Sequence, residues 1–356
     1  MPDPNDHAED QGAPIPAADL YLLPADSLQR LEPPKIIKFT HRKGKKLKHP
    51  DYQLRAKSIQ NPALFWCRFA PRRDFEEDAR IPEQFIKAFA SGAFPEDDPT
   101  RVEPIRALQA RIDSQQEAQR ANGQSVDTLE TTVQWRLVAG IGNSHPYENS
   151  LTLDRLFGFP YIAGSSWKGM LRSAVLERVA ELALADAGGL EPDASERRDG
   201  LLTDLDAALT NGEAPKKLLD GLGGDGSEAF SLFKQAARVF GCIRSMGGIA
   251  FLDALPVGRP KLEADVMTPH TKHNQISEES LKESAGVLAR GDATSPSPIV
   301  FLTVGRGTHF RFAWYGRDAE LVQRVGDWLK DAVQDVGVGA KTTAGYGYLE
   351  PVSDGD

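Results

Sequence analysis

Between residues 131 and 351 the apolar residues change spacing repeatedly, from every second position to every third or fourth and back, and this rhythm restricts the folds open to the chain. In TTVQWRLVAG (131–140), Val133, Trp135 and Leu137 alternate with Thr132, Gln134 and Arg136, which predicts a half-buried strand. From Ser165 onward, Trp167, Leu171, Val175, Val179 and Leu182 share one face of a long helix that ends near Gly188-Gly189. SEAFSLFKQAARVF predicts a second helix ending at Gly241, and GGIAFLDALPV (247–257) a strand. IVFLTV (299–304) and THFRFAWY (308–315) read as a hairpin around Gly305-Arg306-Gly307, followed by a helix at 318–334, a glycine loop and a closing strand around Tyr346–Pro351. With two polar insertions removed, near 187–226 and 258–297, the order is strand, helix, strand, strand, helix, strand. The predicted class is therefore α+β, with a ferredoxin-like βαββαβ core, the layout of the RNA-recognition motif.

Residues 1–125 read as an N-terminal extension and 126–356 as the core domain. Residues 1–34 form a leader rich in Pro, Ala and Asp, and NPALFWCRFA (61–70) is the first stretch apolar enough to anchor in a core. IPEQFIKAFA and RALQARIDSQQEAQRAN are charged, helical patterns, the second ending in a C-cap signal at Asn122-Gly123. In 35–48, KIIKFTHRKGKKLK, there are seven Lys/Arg and no acid, whereas the whole chain carries 42 Lys/Arg against 51 Asp/Glu, a net −9. That balance argues against a general nucleic-acid coat. The basic block is either a solvated or disordered arm or one that meets phosphates through Lys43, Lys45 and Lys46. No run of about 18 apolar residues predicts a membrane span, and the acidic start lacks the pattern of a secretory signal. Two cysteines, Cys67 and Cys242, are too few for a disulfide framework. A cytoplasmic protein is expected, with no cofactor.

Two segments carry candidate chemistry. In 140–172, glycines 140, 142, 158, 164 and 169 with Pro146 and Pro160 turn the chain sharply and expose backbone N–H groups. Ser165 or Ser166 can cap the following helix, whose positive end, with Lys168 and Arg172 on one face, suits a phosphate backbone. The bland alternative is an ordinary capped helix with two surface cations. In 337–348, GVGAKTTAGYGY, Lys341-Thr342 after glycines resembles a P-loop, but Asp335 and Ala340 stand where that pattern needs glycine, and the loop follows a helix rather than opening one. What remains is an amide-rich loop with one lysine, able to follow a sugar-phosphate chain, or else a tight turn with a glycine bulge.

Taken together, SHPYENSLTLD, GFPYIAGSSWKGMLRSA, FGCIRSMGGIAFLDALPV with LEADVMTPH, and the terminal GVGAKTTAGYG resemble the RAMP superfamily of CRISPR effector proteins, and within it the sixth-subunit family of Cmr, or type III-B, complexes. The resemblance covers about residues 129–351. It implies a non-catalytic structural subunit that binds the 3′ region of the guide RNA, lies beside target RNA and contacts other Cmr subunits. Carried over by position, the helix-start motif is Gly164, Ser165, Ser166, Lys168, Gly169 and Arg172, and the glycine loop is Gly337, Gly339, Lys341, Thr342, Gly345 and Gly347. At 270–275 the chain has HTKHNQ where the family pattern leads one to expect aromatic residues.

Other functions compete with this one. His145, beside Tyr147 and Glu148, could act as acid/base in a metal-independent endoribonuclease that processes precursor guide RNA, or could simply bind RNA or fix its loop. A protein-only scaffold would suit the net negative charge. His270 and His273 with Glu263 and Asp265 lack a second well-spaced pair to support a metal site, and Asp253 and Asp265 read as strand-end or surface residues.

Overall fold

The computed structural model describes residues 35–42, 45–55, 61–63, 66, 81–94, 103–142, 151–186, 194–224, 226–267 and 299–352. They fall into two compact units, one drawn from 1–95, 142–151 and 262–303, the other from 96–141, 152–261 and 304–356.

In the first unit the basic block is not an irregular arm. β1 (Lys35–Arg42) and β2 (Lys45–Arg55) pair antiparallel, with Arg42 opposite Lys45 and Lys35 opposite Arg55. The backbones of Lys45 and Lys46 therefore lie in a strand. Helix α1 (Ile81–Gly92) packs against β2 and buries Ile86 and Phe89. Trp66, from the apolar stretch at 61–70, is fully buried with its ring 4.9 Å from that of Phe89.

In the second unit, α2 (Glu103–Ala121) ends where the sequence predicts, with Gly123 at φ +76°. β3 (Ser125–Val133) follows, then a bend at Gln134-Trp135 and the short β4 (Arg136–Leu137). Helix α3 (Gly164–Asp186) buries Trp167, Leu171, Val175 and Val179, the predicted stripe. Within 187–226, α4 (Ala194–Asn211) packs on α3 and α5 (Lys216–Gly221) follows, so this polar stretch is largely helical. α6 (Glu228–Phe240) leads into a two-stranded hairpin of β5 (Gly241–Cys242) and β6 (Ser245–Met246). The strand expected at 247–257 is broken into β7 (Ile249–Phe251) and β8 (Leu255–Val257), because Leu252 N–H turns to the Ala313 carbonyl and Ala254 bridges to Ile162.

β9 (Leu262–Met267) and β10 (Ile299–Gly305), which belong to the first unit as far as Thr303, are hydrogen-bonded neighbours. β10 and β11 (His309–Gly316) do not form the expected hairpin. Val304 and Gly305 pair with Leu137 and Arg136 of β4, while β11 pairs with β3, β7 and β8. The cause is a long-range pairing: Gly307 donates its N–H to the Val133 carbonyl and Val133 donates to Thr308, which sends the chain into a second sheet. Helix α7 (Ala319–Asp335) and β12 (Leu349–Pro351) complete the unit. The main sheet has the order β12-β3-β11-β7, with each neighbouring pair antiparallel.

Alternation along β11 separates two faces. Phe310, Phe312 and Trp314 point to the helical layer, where Trp167 meets Phe251, Phe312 and Trp314 edge-on and Trp314 Nε1 donates to Val322 O at 2.8 Å. Arg311 points the other way, and its guanidinium reaches Glu130 (2.8 Å) and Asp113 of α2 (3.1 Å). Helix α2 thus covers part of the face that an RNA-recognition motif leaves open. The fold is α+β.

Candidate nucleic-acid interface

The glycine loop is pinned to the chain just after β3. Gln134 N–H donates to Tyr348 O (3.1 Å), Gly347 N–H to Arg136 O (2.8 Å), Val338 N–H to Gly347 O (2.8 Å) and Ala340 N–H to Val138 O (2.8 Å). These bonds bring the backbones so close that a Cβ at Gly347 would overlap the Val338 carbonyl and one at Gly339 the Val138 carbonyl. Both residues also have positive φ, +82° and +96°. Glycine is therefore dictated here by packing as well as conformation. The loop does not offer its amides as freely as expected, since those of Gly337, Val338, Ala340, Ala344, Gly345, Tyr346 and Gly347 all donate within the chain.

Lys341 adopts the left-handed conformation (φ +62°, ψ +31°), the one described non-glycine residue with positive φ, and opens a single 3₁₀ turn, Thr342–Ala344. Beside it Trp135 is 44% exposed. Its ring lies 4.9 Å from that of the buried Tyr346, tilted by 38°, and 5.1 Å from the Arg136 guanidinium carbon. Trp135 was expected in the core by alternation. The bend at 134–135 breaks that alternation and turns the indole outward, and the run Gln134-Trp135-Arg136 was the only available hint.

The helix-start motif has different surroundings. Gly164 N–H donates to Asp253 Oδ1 (2.8 Å), so the cap comes from Asp253 across the fold, while Ser165 and Ser166 lie exposed inside the first turn. A carboxylate at the positive helix end competes with an incoming phosphate. Arg172 forms an ion pair with Asp206 and donates to Thr210 Oγ1 (2.7 Å), and Lys168 Nζ stands 5.6 Å from the Phe251 ring centroid. Asp253 and Asp154, together with burial, the larger cause, push the Tyr161 hydroxyl above its ordinary pKa. His145, Lys43, His270 and His273 lie outside the described residues. Among the described residues no group of three His, Cys, Asp or Glu is placed to hold a metal ion, and no helix is long and apolar enough to cross a membrane.

The model of the RAMP superfamily matches residues 122–350, the stretch that contains both the loop and the helix start. The chain is 34% identical over 229 residues to the CRISPR system Cmr subunit Cmr6 of Pyrococcus furiosus, an alignment covering 61% of this chain and 65% of that protein. Among solved structures, the crystal structure of Cmr6 from Pyrococcus furiosus aligns at 31% identity and TM-score 0.44, covering 65% of this chain and 99% of that one. A chain in a cryo-EM structure of the type III-B Cmr-beta bound to cognate target RNA aligns at 18% identity and TM-score 0.49, over 79% and 75% of the two chains. With a family match spanning well over half its length, including the pinned glycine loop, the chain belongs to the RAMP superfamily.

Proposed function

We propose that this protein is a non-catalytic subunit of a type III-B CRISPR complex, binding the 3′ region of the guide RNA alongside target RNA and neighbouring Cmr subunits. The observation that carries the reading is the 34% identity to Cmr6 across 229 residues. The order β12-β3-β11-β7, antiparallel throughout, supports a ferredoxin-like βαββαβ core behind it. The partial cover of the sheet by α2 favours an RNA path along the loops rather than across the sheet face.

Within that reading the chief contact is the glycine loop, with Lys341 supplying charge and Thr342 a hydroxyl. Ser165, Ser166 and Lys168 are secondary contacts, and Arg172 serves mainly to hold α4 through Asp206. The hairpin carrying Lys45 and Lys46 is a further basic surface. In a binding titration, Lys341→Gly should weaken single-stranded RNA binding and flatten the salt dependence by about 0.7 per lost phosphate contact, while leaving the melting temperature equal or higher, since glycine relieves a left-handed backbone. Unchanged affinity would overturn the loop as the contact. The same purified chain should leave labelled RNA intact with and without Mg²⁺; cleavage that His145→Ala abolishes would favour the endoribonuclease reading.

A further inference from the structure

We infer that the cavity between α2 and the turn leading into α3 receives a lysine side chain of a neighbouring protein subunit. The inference goes beyond the RNA contacts and rests on the subunit reading only for the chain that supplies the lysine. The cavity measures about 250 Å³, and its lining belongs wholly to the second unit. One wall is aliphatic, with Leu108 and Ile112 from successive turns of α2 and Leu252 and Leu255 from the break between β7 and β8. Asp154, Tyr161 and Asp253 supply the oxygens.

The negative charge of this cavity has no counter-ion in the chain. Each carboxylate spends its Oδ1 on backbone amides: Asp253 accepts from Gly164 (2.8 Å), and Asp154 accepts from Leu156 (3.0 Å) and Phe157 (2.7 Å). Those bonds orient the carboxylates without neutralising them. Among the described residues neither forms an ion pair with a Lys, Arg or His. Arg311, which shares the adjoining small cavity with Asp253, is committed to Glu130 and Asp113. Burial, then Asp253 and Asp154, raise the pKa of the Tyr161 hydroxyl, and Arg155 opposes them more weakly, so the potential at the phenol is negative.

This lining selects its occupant. Negative charge repels a phosphate backbone, and two carboxylates fall short of a metal site, because no group of three His, Cys, Asp or Glu is placed for one among the described residues. A wholly apolar side chain would leave both carboxylates facing hydrocarbon. Lysine suits both halves. Its four-carbon stem lies along the leucine and isoleucine wall, and its ammonium brings three N–H donors to three oxygen-bearing side chains. The flat fork of a guanidinium instead matches a single carboxylate.

The test uses the full chain in its native assembly, purified from the host and treated with a carbodiimide, which joins a carboxylate to an amine in direct contact. Peptide mapping should show Asp154 or Asp253 linked to one lysine of another subunit. The double variant Asp154→Asn, Asp253→Asn keeps both Oδ1 acceptors; it should lose the link and weaken binding to that subunit at least about 10-fold, the value of the weakest close interfacial charge pairs. Its melting temperature should hold, and its affinity for single-stranded RNA should stay equal or rise. Should the variant melt lower, changing the mapped lysine of the other subunit to methionine carries the test from the other side, with the same loss expected. A wild-type chain that assembles with no other subunit overturns the subunit reading and this inference with it. If the chain assembles but neither aspartate is linked, or the link goes to a lysine of this chain, or the variants assemble undiminished or lose RNA alone, the lysine cavity falls while the subunit reading stands.

Discussion

Gly347 is held by two constraints at once, a positive φ and the Val338 carbonyl directly against its α-carbon. Gly347→Ala should therefore cost at least ~2 kcal/mol, from the left-handed penalty together with the displacement of Val338. Thermal melting measures it, and a loss below ~0.5 kcal/mol would mean that the loop yields easily. Lys341 is the opposite case, since nothing steric requires a lysine in a left-handed conformation. The sequence marked the glycines and the lysine, because Gly-x-Gly spacing beside a lone cation is visible in one dimension. It did not mark Trp135, whose exposure goes with a bend where Gln134 pairs with Tyr348 and Arg136 with Gly347, both distant in sequence.

Helix α7 begins with a cap that also titrates. Asp318 accepts hydrogen bonds from the N–H groups of Leu321 (3.2 Å) and Glu320 (3.0 Å) and pairs with Arg238. The Leu321 bond is the largest cause holding its carboxyl below the ordinary carboxylate range, with Arg238 and Glu320 adding to it. Because the folded pKa is depressed, the stabilisation is present above the unfolded value near 3.9 and is lost as pH falls through the folded value. The stability difference between wild type and Asp318→Ala should be level above about pH 5 and shrink below pH ~4, as acid titration of chemical denaturation would show. A difference that stays constant down to pH ~2 would refute the assignment. Helices α2, α3, α6 and α7 were legible because each carries a 3.6-residue stripe or cap within its own residues. The break between β7 and β8 and the separation of β10 from β11 were not, since partners distant in sequence, Ala313, Ile162 and Val133, decide them.

Across the second unit, Arg311 ties three elements by bridging Glu130 of β3 and Asp113 of α2 from β11. With partners a third to a half exposed, the pairs contribute on the order of 1 kcal/mol. Arg311→Met should lower stability by that amount and speed protease cleavage within α2 while sparing the helical layer; unaltered proteolysis would show that the Arg311 pairs do not hold α2. The α+β class and element order could be read from periodicity. That α2 lies on the sheet could not, because charge pairing between a helix and a distant strand leaves no periodic mark. Net charge was similarly blunt, since −9 averages an acidic body with the basic hairpin at 35–55.

The cap on α3 carries a lesson about the order of folding. Gly164 and the Asp253 carboxylate that receives its amide are separated by 89 positions. During synthesis the first turn of α3 leaves the ribosome long before its cap exists, and α4 and α6 must emerge in between. Closing that turn is a non-local event that carries the loop-closure cost of any high-contact-order pairing. The start of α3 is therefore a late checkpoint in assembly, completed only when the β7–β8 segment docks.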